Sequence, residues 1–367
     1  MKKFKVLVVC ICLAVVLVIT GAGCGKSGGG GSSSGVAGST LNVMTWGDYI
    51  DWAIPAFEEQ YNVKVNLDYY NSEQEAINKI KAGRKGSVDI VFLGSGHELQ
   101  AYNQGLTTDI DVSKLTNFKD LYPFFQESSK DPTVNAYISI PYDWGTNSFM
   151  YNADKVTGVI DSWETMYDPQ YAGKISLLDR AEMQYWYTCL ALGIDMNDGS
   201  DATFAAVRAK LSEQLKLNKT LWATGDDIIQ YMLNEEVWLA HTDSGRAYRL
   251  QQLGKNVKYV IPKEGAQGWF DCLCLCADAP NPELAMLFID YMIGMEAQVG
   301  CAENVQYSIS NQKAAESLSD EMIQIICMEG DVDATLRGLS YCKFMGVDWN
   351  TKVNEMWTEL KAEAGTN

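Results

Sequence analysis

From Leu41 onward, segments with alternating apolar side chains keep giving way to segments with apolar side chains at helical spacing, and this narrows the fold more than any other feature. "LNVMTW" (41–46) reads as a strand, and "DWAIPAFEEQY" (51–61) as a helix. "VKVNLDYY" (63–70) alternates as a strand does. "SEQEAINKIKAG" (72–83) opens with Ser72 and Glu75, the pattern of a capping box, and ends in Gly83; "VDIVFLG" (88–94) is again a strand. A β-α-β-α order predicts a largely parallel sheet covered by helices, with any ligand beyond the carboxyl ends of the strands. Trp46, Asp48 and Tyr49 follow directly on such an end.

The first 39 residues read differently. Lys2, Lys3 and Lys5 precede an uncharged apolar run from Val6 to Ile19. That run is shorter than the roughly 20 residues a membrane span needs. A basic start, a short apolar middle and a small-residue end describe a secretory signal over 1–23. Its end, "ITGAGC", resembles the lipobox of bacterial lipoproteins, which implies lipidation at Cys24; an ordinary signal with an incidental Cys is the other reading. Residues 24–39, rich in Gly and Ser, make a flexible tether with nothing to bury. The expected product is exported and lipid-anchored to the outer face of the cytoplasmic membrane, on the periplasmic side if the host has an outer membrane.

The remaining length calls for two domains. With 47% hydrophobic, 21% charged and 11% aromatic residues, the composition is that of an ordinary globular chain. The formal charge of −18 becomes −21 once the three signal lysines are removed. So acidic a surface repels phosphates and excludes nonspecific nucleic-acid binding. It suits a cationic ligand, and solubility explains it equally well. Of ten cysteines, seven lie beyond Cys24: Cys189, Cys272, Cys274, Cys276, Cys301, Cys327 and Cys342. Three alternate in "DCLCLCAD", on one face of a strand, and read as small buried hydrophobes. A disulfide or a metal is the competing reading, although metal-binding thiolates usually come as CxxC pairs. An odd count leaves at least one thiol without an intramolecular partner.

Six segments taken together resemble the spermidine/putrescine-binding family of extracellular solute-binding proteins of ABC importers. They are "TWGDYI" (45–50), "PYDWGTNSFMYN" (141–152), "SWETMYDPQYAGKISLLD" (162–179), "EEVWLAHTDSGRAY" (235–248), "YVIPKEGAQGWFDCLCL" (259–275) and "VQYSISNQKAA" (305–315). The resemblance implies an α/β fold of the periplasmic-binding-protein type II, with two lobes joined by crossing segments and a ligand in the cleft between them. Each lobe is expected to hold a mainly parallel sheet flanked by helices. One lobe is placed at 40–144 plus 270–314, the other at 145–269 plus 315–361, with 362–367 as a tail.

The residues point to a cation by their own chemistry. Carboxylates satisfy a protonated amine through charge-assisted hydrogen bonds, and each aromatic face adds about 0.5–2 kcal/mol. "WGDYID" supplies rings and acids within six residues, and "GWFDC" sets Trp269 and Asp271 two apart, on one face of a strand. The bland reading of each pair is a core Trp beside a solvated acid. Through the resemblance, Trp46, Asp48, Tyr49, Trp269, Asp271 and Tyr307 match ligand-contacting positions, with Asp271 as the main acid for an amino group. Other positions depart from the family. Where it has Ser-x-Tyr, this chain has "GSG" (94–96), which keeps only Ser95 as a candidate. Arg180 and Met183 stand where the family places two acids, Asp243 where it has a Trp, and Lys343 near a contacting Gln. A one-residue slip of alignment returns Glu182 to the cleft. Arg180 then either pairs with Asp243 or Glu182, clasps the anionic group of a zwitterionic ligand, or points to solvent.

Catalysis finds little support. The two histidines are His97 and His241; the chain has no G-x-S-x-G elbow, Walker loop or H-E-x-x-H, and scattered acids alone do not make a glycosidase. The expectation is a monomeric binder without cofactor that takes up a small cationic or zwitterionic solute and presents it to ABC permease subunits. A carbohydrate receptor of the same two-lobe class is the alternative.

Overall fold

The computed structural model describes residues 35–94 and 96–365. The expected signal, Cys24, most of the tether, and Ser95 lie outside the described residues. The first expectations map closely onto elements. Strand β1 is Thr40–Thr45 and β2 is Lys64–Tyr69, with a helix Ile54–Tyr61 between them. A helix Glu73–Lys79 precedes β3, Ile90–Gly94. Ser72 caps that helix by accepting from the Glu75 backbone N–H. The Glu75 carboxylate reaches back one residue further than a capping box does, to Asn71 N at 2.9 Å.

A short hairpin pairs β4, Lys130–Asp131, with β5, Ala136–Tyr137. Strand β6 then runs unbroken from Ile140 to Asn152, nearly every residue buried, as suits a central strand covered on both faces. After it come β7 (Ile175–Leu178), β8 (Asn218–Trp222), β9 (Leu239–Asp243), β10 (Val257–Val260) and β11 (Gln267–Leu275). The short strands β12 (Ser308–Ile309) and β13 (Ser340–Tyr341) complete the set.

One sheet runs in the order β2-β1-β3-β11-β6-β9-β7-β8. Its two ends, β2-β1-β3 and β9-β7-β8, are parallel, as the alternation predicts. The antiparallel strands β11 and β6 join them at the centre. The buried apolar side chains fall into separate clusters. Ile140, Tyr142 and Trp144 of β6 belong to the first, with β1, β3 and β11; Phe149 belongs to a second and Met150 to a third, both built from residues between 149 and 260, the second joined by 349–360. The chain therefore passes between cores three times: within β6, between Val260 and Ala266, and between Leu339 and Trp349. The last passage comes later than the sequence suggested. Ala315, Ile326, Val332 and Leu336 pack in the first core, because the helices after Ser310 fold back onto it before the chain crosses.

Cys272, Cys274 and Cys276 are buried on the first core and unbridged. Burial pushes all three thiols upward, so they stay protonated and behave as apolar filling.

Candidate functional site: an acid pocket under two aromatic walls

Trp269 and Asp271 are the half-buried residues of β11, two apart on one face, while their neighbours in the strand are buried. In the sheet, Trp269 lies opposite Gly145 and Asp271 opposite Asp143 on β6, with Gly94 of β3 on its other side. Gly145 is required for this arrangement. A Cβ there would stand 2.4 Å from Cζ2 of the Trp269 ring, so only a residue without a side chain lets the indole lie over the strand. Tyr307, 40% exposed, meets the same indole edge to face at 5.1 Å.

The second wall comes from the turn after β1. Trp46 is half-buried and meets Tyr49 and Tyr70 at ring separations of 5.3 and 5.1 Å. The Tyr49 hydroxyl lies between two acids: it donates to Asp143 Oδ2 at 2.6 Å and is 3.1 Å from Asp271 Oδ2. Asp48, by contrast, is exposed and held at φ 56°, and its charge is felt by the Tyr69 hydroxyl.

Asp143 and Asp271 lie side by side with the Tyr49 hydroxyl between them, and among the described residues neither forms an ion pair with a cation. Asp143 is fully buried, its Oδ1 has no hydrogen-bond partner, and burial together with the Asp271 charge holds its carboxyl far above the usual range. Burial, helped by the charge of Glu73, pushes Asp271 from 3.8 to about 7. Burial likewise pushes Glu98, in the helix His97–Asn103, from 4.5 to about 8. Desolvation disfavours the charged form of an acid; it is normally offset by a nearby cation or by several hydrogen bonds. Two adjacent acids with raised pKa values, Asp143 and Asp271, describe a site in want of a positive charge.

Residues from the second core present a different surface. Arg180 is exposed at the start of the helix Ala181–Leu192, with Glu182 3.7 Å away. Asp243, at the end of β9, caps the helix Ser244–Gln252 by accepting from Arg246 N at 3.0 Å, and its carboxylate pairs with the Arg246 guanidinium. Its carboxylate is thus already engaged by Arg246 rather than by Arg180. Lys343 is exposed, its backbone N–H bonded to Asn197 Oδ1 at 2.7 Å. Arg246 lies over the Trp222 ring, and its charge is felt by the Tyr307 hydroxyl.

The family profile described as "Bacterial extracellular solute-binding protein" matches residues 52–324. The chain belongs to that family. The "Spermidine/putrescine-binding periplasmic protein" of Escherichia coli (strain K12) is 28% identical over 303 residues, 82% of this chain and 86% of the relative. "Putrescine-binding periplasmic protein PotF" from the same organism is 28% identical over 304 residues, 77% of this chain and 81% of its own length. Among solved structures, the spermidine/putrescine ABC transporter substrate-binding protein PotD of Streptococcus pneumoniae superposes with a TM-score of 0.75 at 26% identity, covering 89% of this chain and 99% of that one. A putative spermidine/putrescine ABC transporter protein from Listeria monocytogenes gives 0.71 at 30% identity, covering 88% and 99%. The fold of this solute-binding protein is accordingly the two-lobe periplasmic-binding-protein fold, and its family is one of binding proteins rather than enzymes.

Of the residues singled out in the sequence, the structure gathers Trp46, Tyr49, Trp269, Asp271 and Tyr307, and sets Arg180 and Asp243 on the other surface. Sequence reasoning did not single out Asp143, Glu73, Glu98 or Arg246, whose charges bear on these residues in the structure. Asp143 was in view within "PYDWGTN", but strand register alone shows that it faces Asp271.

Proposed function

We propose that this solute-binding protein captures a small organic amine, with spermidine or putrescine the leading ligand, and delivers it to the membrane permease of an ABC importer. The observation that carries the reading is the cluster of Asp271, Asp143 and Tyr49, whose acids have no counter-cation among the described residues, beside the rings of Trp46, Trp269 and Tyr307. An ammonium group placed there restores the charge balance, and the rings cover its methylenes. The names of the relatives point the same way. Ligand contacts with both lobes favour a closed form by differential affinity, and that closed shape is what the permease recognises. The lipobox resemblance adds an anchor at Cys24 that keeps the receptor at the membrane. A zwitterionic amine, its anionic group toward Arg180 and Arg246, is the second reading, favoured by the charge of Arg246 that reaches the Tyr307 hydroxyl.

A thermal-shift screen of residues 39–367 against spermidine, putrescine, amino acids, aminophosphonates and sugars tests this. A ligand present at a hundred times its Kd adds about 2.7 kcal/mol of stability. Stabilisation by diamines alone supports the polyamine reading, stabilisation by zwitterions alone the second, and stabilisation by sugars alone defeats both. Amine affinity is also expected to depend on pH. The ammonium binds the ionised carboxylate, and Asp271 carries its proton below about pH 7. Affinity for putrescine, by titration calorimetry, should therefore rise from pH 5.5 to pH 8, by up to about tenfold per unit at its steepest. A flat profile counts against an acid-centred site.

A further inference from the structure

We infer that Glu73 is a second carboxylate of the ammonium subsite, brought there by the absence of a side chain at Gly94. The inference rests on the amine-binding reading above and names the group that shares the ligand's charge with Asp271.

The geometry is local. Glu73 is the first residue of the helix Glu73–Lys79, and Gly94 is the last residue of β3. A Cβ built on Gly94 would be 2.8 Å from Glu73 Oε1 and 3.3 Å from Asp271 Oδ1. Two carboxylates from two different elements thus converge immediately beyond the Gly94 backbone. The fully buried Asp143, opposite Asp271 in the sheet, adds an oxygen with no partner to the same recess. A primary ammonium has three N–H donors and satisfies such a convergence of acceptors.

Glutamate in the first turn of a helix also complements the helix dipole, and that would account for an acid at position 73. It does not account for the direction of the side chain, toward a second carboxylate that it destabilises. A cation between two neighbouring carboxylates offsets their repulsion. Tyr49, from the turn after β1, and Glu73, from the helix, act on Asp271, and the Asp271 charge in turn acts on Asp143 of β6 and on Glu98 of a second helix. Glu73 also acts on His97.

Between pH 6.5 and 7.5 the ligand-free recess holds protons that an entering ammonium displaces, so capture releases protons to solvent. Removing the charge of Glu73 lowers the proton affinity of Asp271, so fewer are released.

The test is titration calorimetry with putrescine at pH 7, in two buffers of different ionisation enthalpy, on the wild type, Glu73→Gln, Glu73→Asp and Gly94→Ala. Glu73→Gln is expected to weaken binding about tenfold and to reduce the number of protons released. Gly94→Ala keeps every charge but fills the point of convergence, and is expected to weaken binding at least as much. Glu73→Asp keeps the charge and the helix-start preference with a shorter reach, and should fall between the wild type and Glu73→Gln; it also serves if Glu73→Gln fails to fold. Affinities within twofold of the wild type in Glu73→Gln and Gly94→Ala, with an unchanged proton count, overturn the role of Glu73 while leaving the amine receptor intact. A wild type that binds no amine overturns both.

Discussion

Asp271→Asn is expected to make the ligand-free protein more stable at pH 8 and, at the same time, to weaken amine binding by one to two decades. The two effects share a cause. Asp271 is held at a pKa of about 7, well above its ordinary 3.8, by burial and by the charge of Glu73. The folded protein therefore binds this proton more tightly than the unfolded chain does. By linkage, stability falls as pH rises between those two values, and above pH 7 the ionised carboxylate is a net cost to the fold. Asparagine has the same shape and no charge, so that cost disappears. Affinity moves the other way because a desolvated charge-assisted hydrogen bond to the ammonium is lost, worth about 1.5–3 kcal/mol.

The pH profile of the wild type alone would not isolate this. Burial lowers His241 from 6.5 to about 3, so the unfolded chain takes up a proton at that residue below pH 6.5 and stability falls with acidification there. Comparing the wild type with Asp271→Asn cancels the histidine. The variant should melt higher at pH 8, with the gap narrowing as the pH falls below about 7 and closing only toward 3.8, the ordinary value for Asp. A variant less stable than the wild type at pH 8 would show that Asp271 holds the fold together rather than the ligand.

Gly145→Val is expected to damage both stability and binding. A Cβ at 145 meets the Trp269 ring at 2.4 and 2.7 Å, and the strand offers no relief, since β6 and β11 are hydrogen-bonded neighbours at this point. Either the indole leaves its place over β6 or the two central strands part. Overpacking of this kind costs about 1–3 kcal/mol, measurable by denaturant unfolding. Displacing the indole also removes an aromatic wall from the ammonium, worth about 0.5–2 kcal/mol, so affinity should drop roughly tenfold. Trp269→Ala introduced alongside Gly145→Val should recover much of the stability and none of the affinity, because it relieves the clash by deleting the wall. Two stability losses that simply add would mean that the ring and the glycine do not oppose each other.

The sequence carried a good deal of this on local physics alone. Apolar periodicity and caps suffice to place β1, the helix Ile54–Tyr61, β2, the helix Glu73–Lys79 and β3, because those patterns are set by neighbours within a few residues. The pairing of Trp269 with Asp271 is legible for the same reason, since two residues on one strand face need no tertiary information to be put together. What tertiary structure alone decided was which distant groups meet. Asp143 faces Asp271 through strand register, Glu73 reaches the same recess because a glycine on another strand makes way, and Asp243 is taken by an arginine one helical turn on. The late crossing of the chain, between Leu339 and Trp349, belongs to the same class, because the helices after Ser310 are amphipathic whichever core they cover. A side chain's chemistry is written in the sequence. Whether a charge is satisfied is a property of what surrounds it, and that depends on register, crossing and close approach between segments far apart along the chain.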